Sequence, residues 1–120
     1  MKVRNAKMKK ILFDYGLLST DLVQNNQLVK VSERAVGFGK LFTDGEKPVL
    51  LNDGDDNDKF YGQLYELTLD QLAEFAKQWP EYHEVELMAY TSEGMMMTSA
   101  FAQTKQQIQK LTYLDYPEWK

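Results

Sequence analysis

The 120-residue chain carries 14 Lys plus Arg against 18 Asp plus Glu, a net charge of -4, with 43% hydrophobic residues and no cysteine. Its length and apolar content fit a single domain, 1–120, around one core. The acidic balance leaves no basic face on average to gather phosphates, so nucleic acid is not an expected partner. Without cysteine there is no disulfide scaffold, no thiolate zinc site and no cysteine nucleophile, which agrees with a reducing, cytoplasmic compartment. The basic start, Met1 to Lys10, precedes an apolar run, Ile11 to Phe13, that Asp14 cuts too short for a secretory signal. No stretch reaches membrane-spanning length, so no membrane partner is expected.

In chain order, Lys10 to Asp14 predicts a buried strand that ends at Tyr15-Gly16 in a tight turn. Glycine there permits positive φ, or lets another group approach the backbone N–H atoms without a Cβ in the way. A backbone site for an anion or a carbonyl is built in this manner. Ser19 or Asp21 can cap a short helical turn that Asn25-Asn26 ends, and Leu28 to Val31 resumes an extended pattern. Val36, Phe38 and Leu41 around Gly37 and Gly39 predict a strand that bends or bulges. Thr43 to Glu46 is turn chemistry, and a short strand begins at Pro48.

Asn52 to Asp58 places acidic residues at alternate positions, as a calcium loop does. Counted from Asp53, however, the glycine position holds Asp58 and the final glutamate position holds Leu64, so the stretch reads as a solvated loop. Phe60 to Leu67 is the clearest strand, with Tyr61, Gln63, Tyr65 and Leu67 on one side and Phe60, Leu64 and Glu66 on the other. Thr68 is a good N-cap, and Leu69, Leu72, Ala73, Phe75, Ala76 and Trp79 recur at helical spacing until Pro80. Their stripe predicts core contact.

Beyond Pro80, Val85, Leu87 and Ala89 point inward and Glu84 and Glu86 outward from a strand; Thr91 to Gly94 turns it into a second arm, Met95 to Ala102. Met95, Met96 and Met97 read as core filling, since a soft metal site needs histidine or cysteine beside them and His83 is the single histidine. His83 reads as a surface or hydrogen-bonded residue. Lys105 to Lys110 predicts a short exposed helix, and the aromatic tail Tyr113 to Trp119 predicts docking on the domain. The order of elements gives an α+β domain on a curved, largely antiparallel or mixed sheet.

Four blocks of this pattern resemble the gamma-glutamylcyclotransferase-like, or AIG2-like, family. Leu12 to Leu18 is similar to its opening strand and Tyr-Gly-x-Leu loop. Gly37 to Phe42 with Pro48 is similar to its Gly-aromatic strand. Tyr61 to Leu67 resembles its Gly-Glu-Leu-Tyr strand, and Tyr113 to Trp119 its Asp-Trp ending. The resemblance implies a small mixed β-barrel with one main helix and short flanking helices. It also implies a small-molecule gamma-glutamyl ligand, no cofactor or metal, and a monomer or weak dimer. In active members the substrate's α-amine attacks its own γ-carbonyl and 5-oxoproline is released. Ring closure within one bound molecule needs no enzyme nucleophile, but it needs donors for the carboxylate and developing oxyanion, and a base for the ammonium proton.

Carried onto this chain, the donors are the backbone N–H groups of Tyr15, Gly16, Leu17 and Leu18, with Tyr82 as the family's tyrosine beyond the helix. The family glutamate falls on Ala76, which cannot move a proton. The candidate replacements are Glu74, about 200° around the helix from Ala76, and Asp14, an acidic residue where the family has an aliphatic one. Glu81 and Glu84 flank the same region. Three readings therefore stand: a cyclotransferase with a relocated base, a non-catalytic binding module on the same fold, or a domain whose pocket is filled by its own aromatics, such as Tyr82, Tyr113 or Trp119.

Overall fold

The computed structural model describes residues 8–43, 45–51, 58–108 and 112–113. The elements are β1 (Lys9–Asp14), α1 (Thr20–Asn25), β2 (Val29–Phe38), β3 (Lys40–Thr43), β4 (Pro48–Leu51), β5 (Lys59–Thr68), α2 (Leu69–Gln78), β6 (His83–Thr91), β7 (Gly94–Gln103) and β8 (Thr112–Tyr113). The strands run in the order β1-β5-β2-β6-β7-β4-β3-β8, and a further β1–β7 pairing closes the first five into a barrel. That closing contact is parallel, at Leu12 and Ser99, as is the β4–β7 pairing; the other ladders are antiparallel. The expected α+β mixed barrel is therefore the observed architecture.

Alternate residues of the barrel strands feed two separate cores. Phe13, Tyr15, Ala35, Leu41, Leu50, Phe60, Leu64, Ala89, Ala100 and Ala102 form one cluster, to which all five barrel strands contribute. The other contains Leu12, Tyr65, Leu67, Phe101, Leu72, Phe75 and Tyr82, and lies between the outer wall and α2. β5 shows the alternation best, with Phe60 and Leu64 in the first cluster and Tyr65 and Leu67 in the second. Both sides of the predicted strand are thus apolar core along part of its length.

Several expectations are refined. α2 is capped by Thr68 in a full capping box with Gln71, and its buried stripe is Leu72 and Phe75, extended by Trp79 stacked 5.4 Å from Phe75. Ala73 and Ala76 face solvent. The bulges of β2 fall between Lys30 and Ala35, before the two glycines. Gly37 serves instead for close packing, since a Cβ there would lie 2.9 Å from Phe60, and Gly39, at φ 155°, makes the break into β3. Met96 packs against the barrel core, but Met95 and Met97 are exposed, so the methionine run fills the core at one position in three. Thr104 to Ile108 forms hydrogen-bonded turns in place of the first part of a helix. The backbone of Thr112–Tyr113 pairs with β3. Residues 52–57, with the acidic loop, and 114–120, with Tyr116 and Trp119, lie outside the described residues.

Gly62 sits where β1 and β5 press together. A Cβ there would fall 2.4 Å from the Asp14 carbonyl oxygen and 2.5 Å from the Phe13 ring. Gly62→Ala is expected to lower stability by about 1–3 kcal/mol through overpacking, read as a reduced urea midpoint at unchanged slope.

Candidate functional site

β1 ends by delivering Asp14 opposite Gln63 of β5. Tyr15 then enters the core, and the chain reverses at Gly16, whose φ of 132° and a 2.9 Å approach to Pro48 both exclude a side chain. The reversal brings three successive backbone donors over the last residue of the strand. Asp14 Oδ1 accepts from the N–H of Gly16 at 3.0 Å, of Leu17 at 2.8 Å and of Leu18 at 3.0 Å. Such a concave set of amides is an anion receptor, and here its anion is the chain's own carboxylate. Ser19 then caps α1 by accepting from Leu22 at 3.1 Å.

Asp14 is half-buried, and its second oxygen, Oδ2, takes no hydrogen bond from a described residue. Burial pushes its carboxyl above the ordinary value, against the opposing pull of the Leu18, Gly16 and Leu17 amides. Beside it, the Tyr65 hydroxyl donates to Gln63 Oε1 at 3.0 Å. Burial also raises the Tyr65 phenol, with smaller contributions from the Asp14 and Glu33 charges, and Lys30 lies 5.9 Å over its ring. The sequence marks Gln63 and Tyr65 only as strand residues. Their place beside Asp14 follows from the β1–β5 register, which no local signal carries.

The other predicted residues separate into distinct environments. Tyr15 is buried; its hydroxyl donates to the Phe101 carbonyl and accepts from the Leu50 N–H at 3.0 Å. Burial holds that phenol well above its ordinary pKa, so it stays a neutral donor. Tyr82 is also buried, in the cluster under α2, and donates to the Pro48 carbonyl at 3.1 Å. The two tyrosines therefore both tie down the backbone of β4, at Leu50 and at Pro48. Glu74 stands on the solvent face of α2, its side chain 65% exposed and 3.6 Å from Lys77. Ala76 faces solvent as well. Glu84 lies on the outside of the barrel, accepting from Ser99 Oγ at 2.7 Å and Lys10 Nζ at 3.0 Å. The structure thus brings Asp14, Gly16, Leu17 and Leu18 together and leaves Glu74 apart from them. Among the described residues, no three His, Cys, Asp or Glu side chains converge as metal ligands. No helix among them is long and apolar enough to cross a membrane.

Neither a family model nor a curated protein matches the sequence. Solved structures do match. YkqA from Bacillus subtilis aligns over 93% of this chain with TM-score 0.75 and 21% identity, and this chain spans 40% of its length. A mouse AIG2-like protein aligns over 92% of this chain and 88% of its own with TM-score 0.73 and 14% identity. A gamma-glutamyl cyclotransferase aligns over 89% and 69% with TM-score 0.56 and 15% identity. The closed mixed barrel is that of the gamma-glutamylcyclotransferase-like, AIG2-like fold.

Two outcomes are expected. Because the folded carboxyl of Asp14 titrates above its ordinary 3.8, the native state binds the extra proton between the two values, and this group's contribution to stability falls as pH rises through that window. The stability of the parent relative to Asp14→Asn should therefore be lower at neutral pH than below 3.8, measured by urea unfolding at each pH. Tyr15→Phe leaves the Leu50 N–H without its acceptor in the core and should cost about 1–3 kcal/mol, seen as a lowered melting temperature.

Proposed function

We propose that this chain is a non-catalytic, small-molecule binding member of the gamma-glutamylcyclotransferase-like fold. The observation that carries the reading is the occupation of all three turn amides by Asp14 Oδ1. Cyclisation of a gamma-glutamyl group needs those donors for the substrate carboxylate and the developing oxyanion, and their loss typically removes a large part of the rate enhancement. Asp14 can act as receptor plug or as base, but in the first role it withdraws the donors that the second requires. Glu74, on the solvent face of α2, supplies no proton acceptor at the turn. What remains beside the turn is an acceptor, Asp14 Oδ2, next to the Gln63 carboxamide and the Tyr65 hydroxyl. These groups suit a small ligand that offers N–H donors, an amine or a primary amide.

A panel of gamma-glutamyl amines and dipeptides should give no 5-oxoproline above the uncatalysed background with the parent or with Glu74→Gln. Small amines and amides should instead raise the parent's melting temperature. Release of 5-oxoproline by the parent that disappears in Asp14→Asn would reverse the conclusion, identifying a cyclotransferase with its base moved onto β1.

A further inference from the structure

We propose that Asp14 is the specificity-determining residue of this turn: its carboxylate is a resident occupant of an intact anion receptor, so the turn rejects ligand carboxylates that its bare backbone would accept. The inference rests on the non-catalytic reading above and names the ligand class that the site turns away. Its basis is geometric. The three N–H groups of Gly16, Leu17 and Leu18 converge on a single oxygen at 2.8–3.0 Å. The turn that aims them is set by features independent of Asp14. Gly16 holds its positive φ against Pro48, Tyr15 is tied through its hydroxyl to β4 and β7, and α1 is capped by Ser19 immediately afterwards. Removing the carboxylate therefore leaves three aimed donors and the space of a carboxyl group. A free anion of that size can restore the lost hydrogen bonds.

The same geometry explains why a ligand carboxylate cannot share the site with Asp14. A second anion would stand within a few ångströms of the first in a half-buried setting, where like charges repel strongly, and every aimed donor is already in use. Asparagine at this position keeps an oxygen acceptor and so keeps the receptor closed while deleting the charge.

The test is anion rescue with formate as probe and chloride at equal ionic strength as control. Asp14→Ala in formate should gain melting temperature by roughly 3–6 °C over chloride, with saturable amide shifts at Gly16, Leu17 and Leu18 in its nitrogen–proton spectrum. The parent and Asp14→Asn should show neither response. Saturable formate shifts at those amides in the parent, or a folded Asp14→Ala that ignores formate, would overturn the proposal. Should Asp14→Ala fail to fold in chloride, recovery of folding in formate supports it. If it folds in neither, hydrogen exchange in the parent decides: the three amides must exchange slowly, and exchange at the rate of free amides rejects the assignment. None of these readouts involves 5-oxoproline, so turnover by the parent would defeat the functional reading and leave this test intact.

Discussion

The end of β1 builds the site from two side chains that follow one another and point opposite ways. Tyr15 goes into the core and binds the backbone of two other strands, Phe101 of β7 and Leu50 of β4. Asp14 goes the other way and accepts the three N–H groups that the turn aims at it. A buried phenol keeps its place only when both its donor and its acceptor functions are met, and here both are met by main chain. The position of β4 against the barrel, and with it Pro48 beside Gly16, depends on that hydroxyl and on the second clamp from Tyr82.

The strand alternation explains why a carboxylate at position 14 and a closed receptor come together. Leu12 belongs to the cluster under α2 and Phe13 to the barrel core, so by alternation Asp14 leaves β1 on the same side as Leu12. Leu17 and Leu18 pack against that cluster. A charge placed there loses much of its hydration and must be compensated by hydrogen bonds or neutralised. The amides of the turn are the nearest compensation. An acidic residue at the last position of β1 therefore draws the donors to itself by the same physics that would draw them to a ligand.

Much of this fold was legible in the residues because its signals are local. Ser19 and Thr68 capped the helices as expected, Pro48 began its strand, and Val85, Leu87 and Ala89 formed the inward row of β6. Elsewhere tertiary context decides. Alternation alone cannot say whether the second face of a strand meets solvent or another layer, so the double burial of β5 was hidden. Nor can an apolar run say how far it extends past the core, and Met95 and Met97 reach the free end of the hairpin and solvent. At the site, the sequence marked the Tyr-Gly turn and the odd acidic residue before it. It could not show that the two satisfy each other, because a hydrogen bond from a side chain to the next three amides depends on how the turn closes.

The resemblance carried a catalytic glutamate onto Ala76, and the structure shows why this position is a poor guide to chemistry here. α2 is held by Leu72, Phe75 and Trp79, the last in edge contact with Phe101 of β7 at 5.3 Å. That stripe fixes the rotation of the helix and turns residues 73, 74, 76 and 77 to solvent. A glutamate at 76 would thus stand in water. A base on this helix that reached the turn would need the aromatic stripe itself to shift, against the burial of two aromatic rings worth several kcal/mol. The tied tyrosines, the glycine turn and the packed helix all serve the stability of the barrel. The three turn amides are held by Asp14 Oδ1, so the Tyr-Gly turn by itself reports the barrel, while the residue before it decides whether those donors face solvent or the chain's own carboxylate.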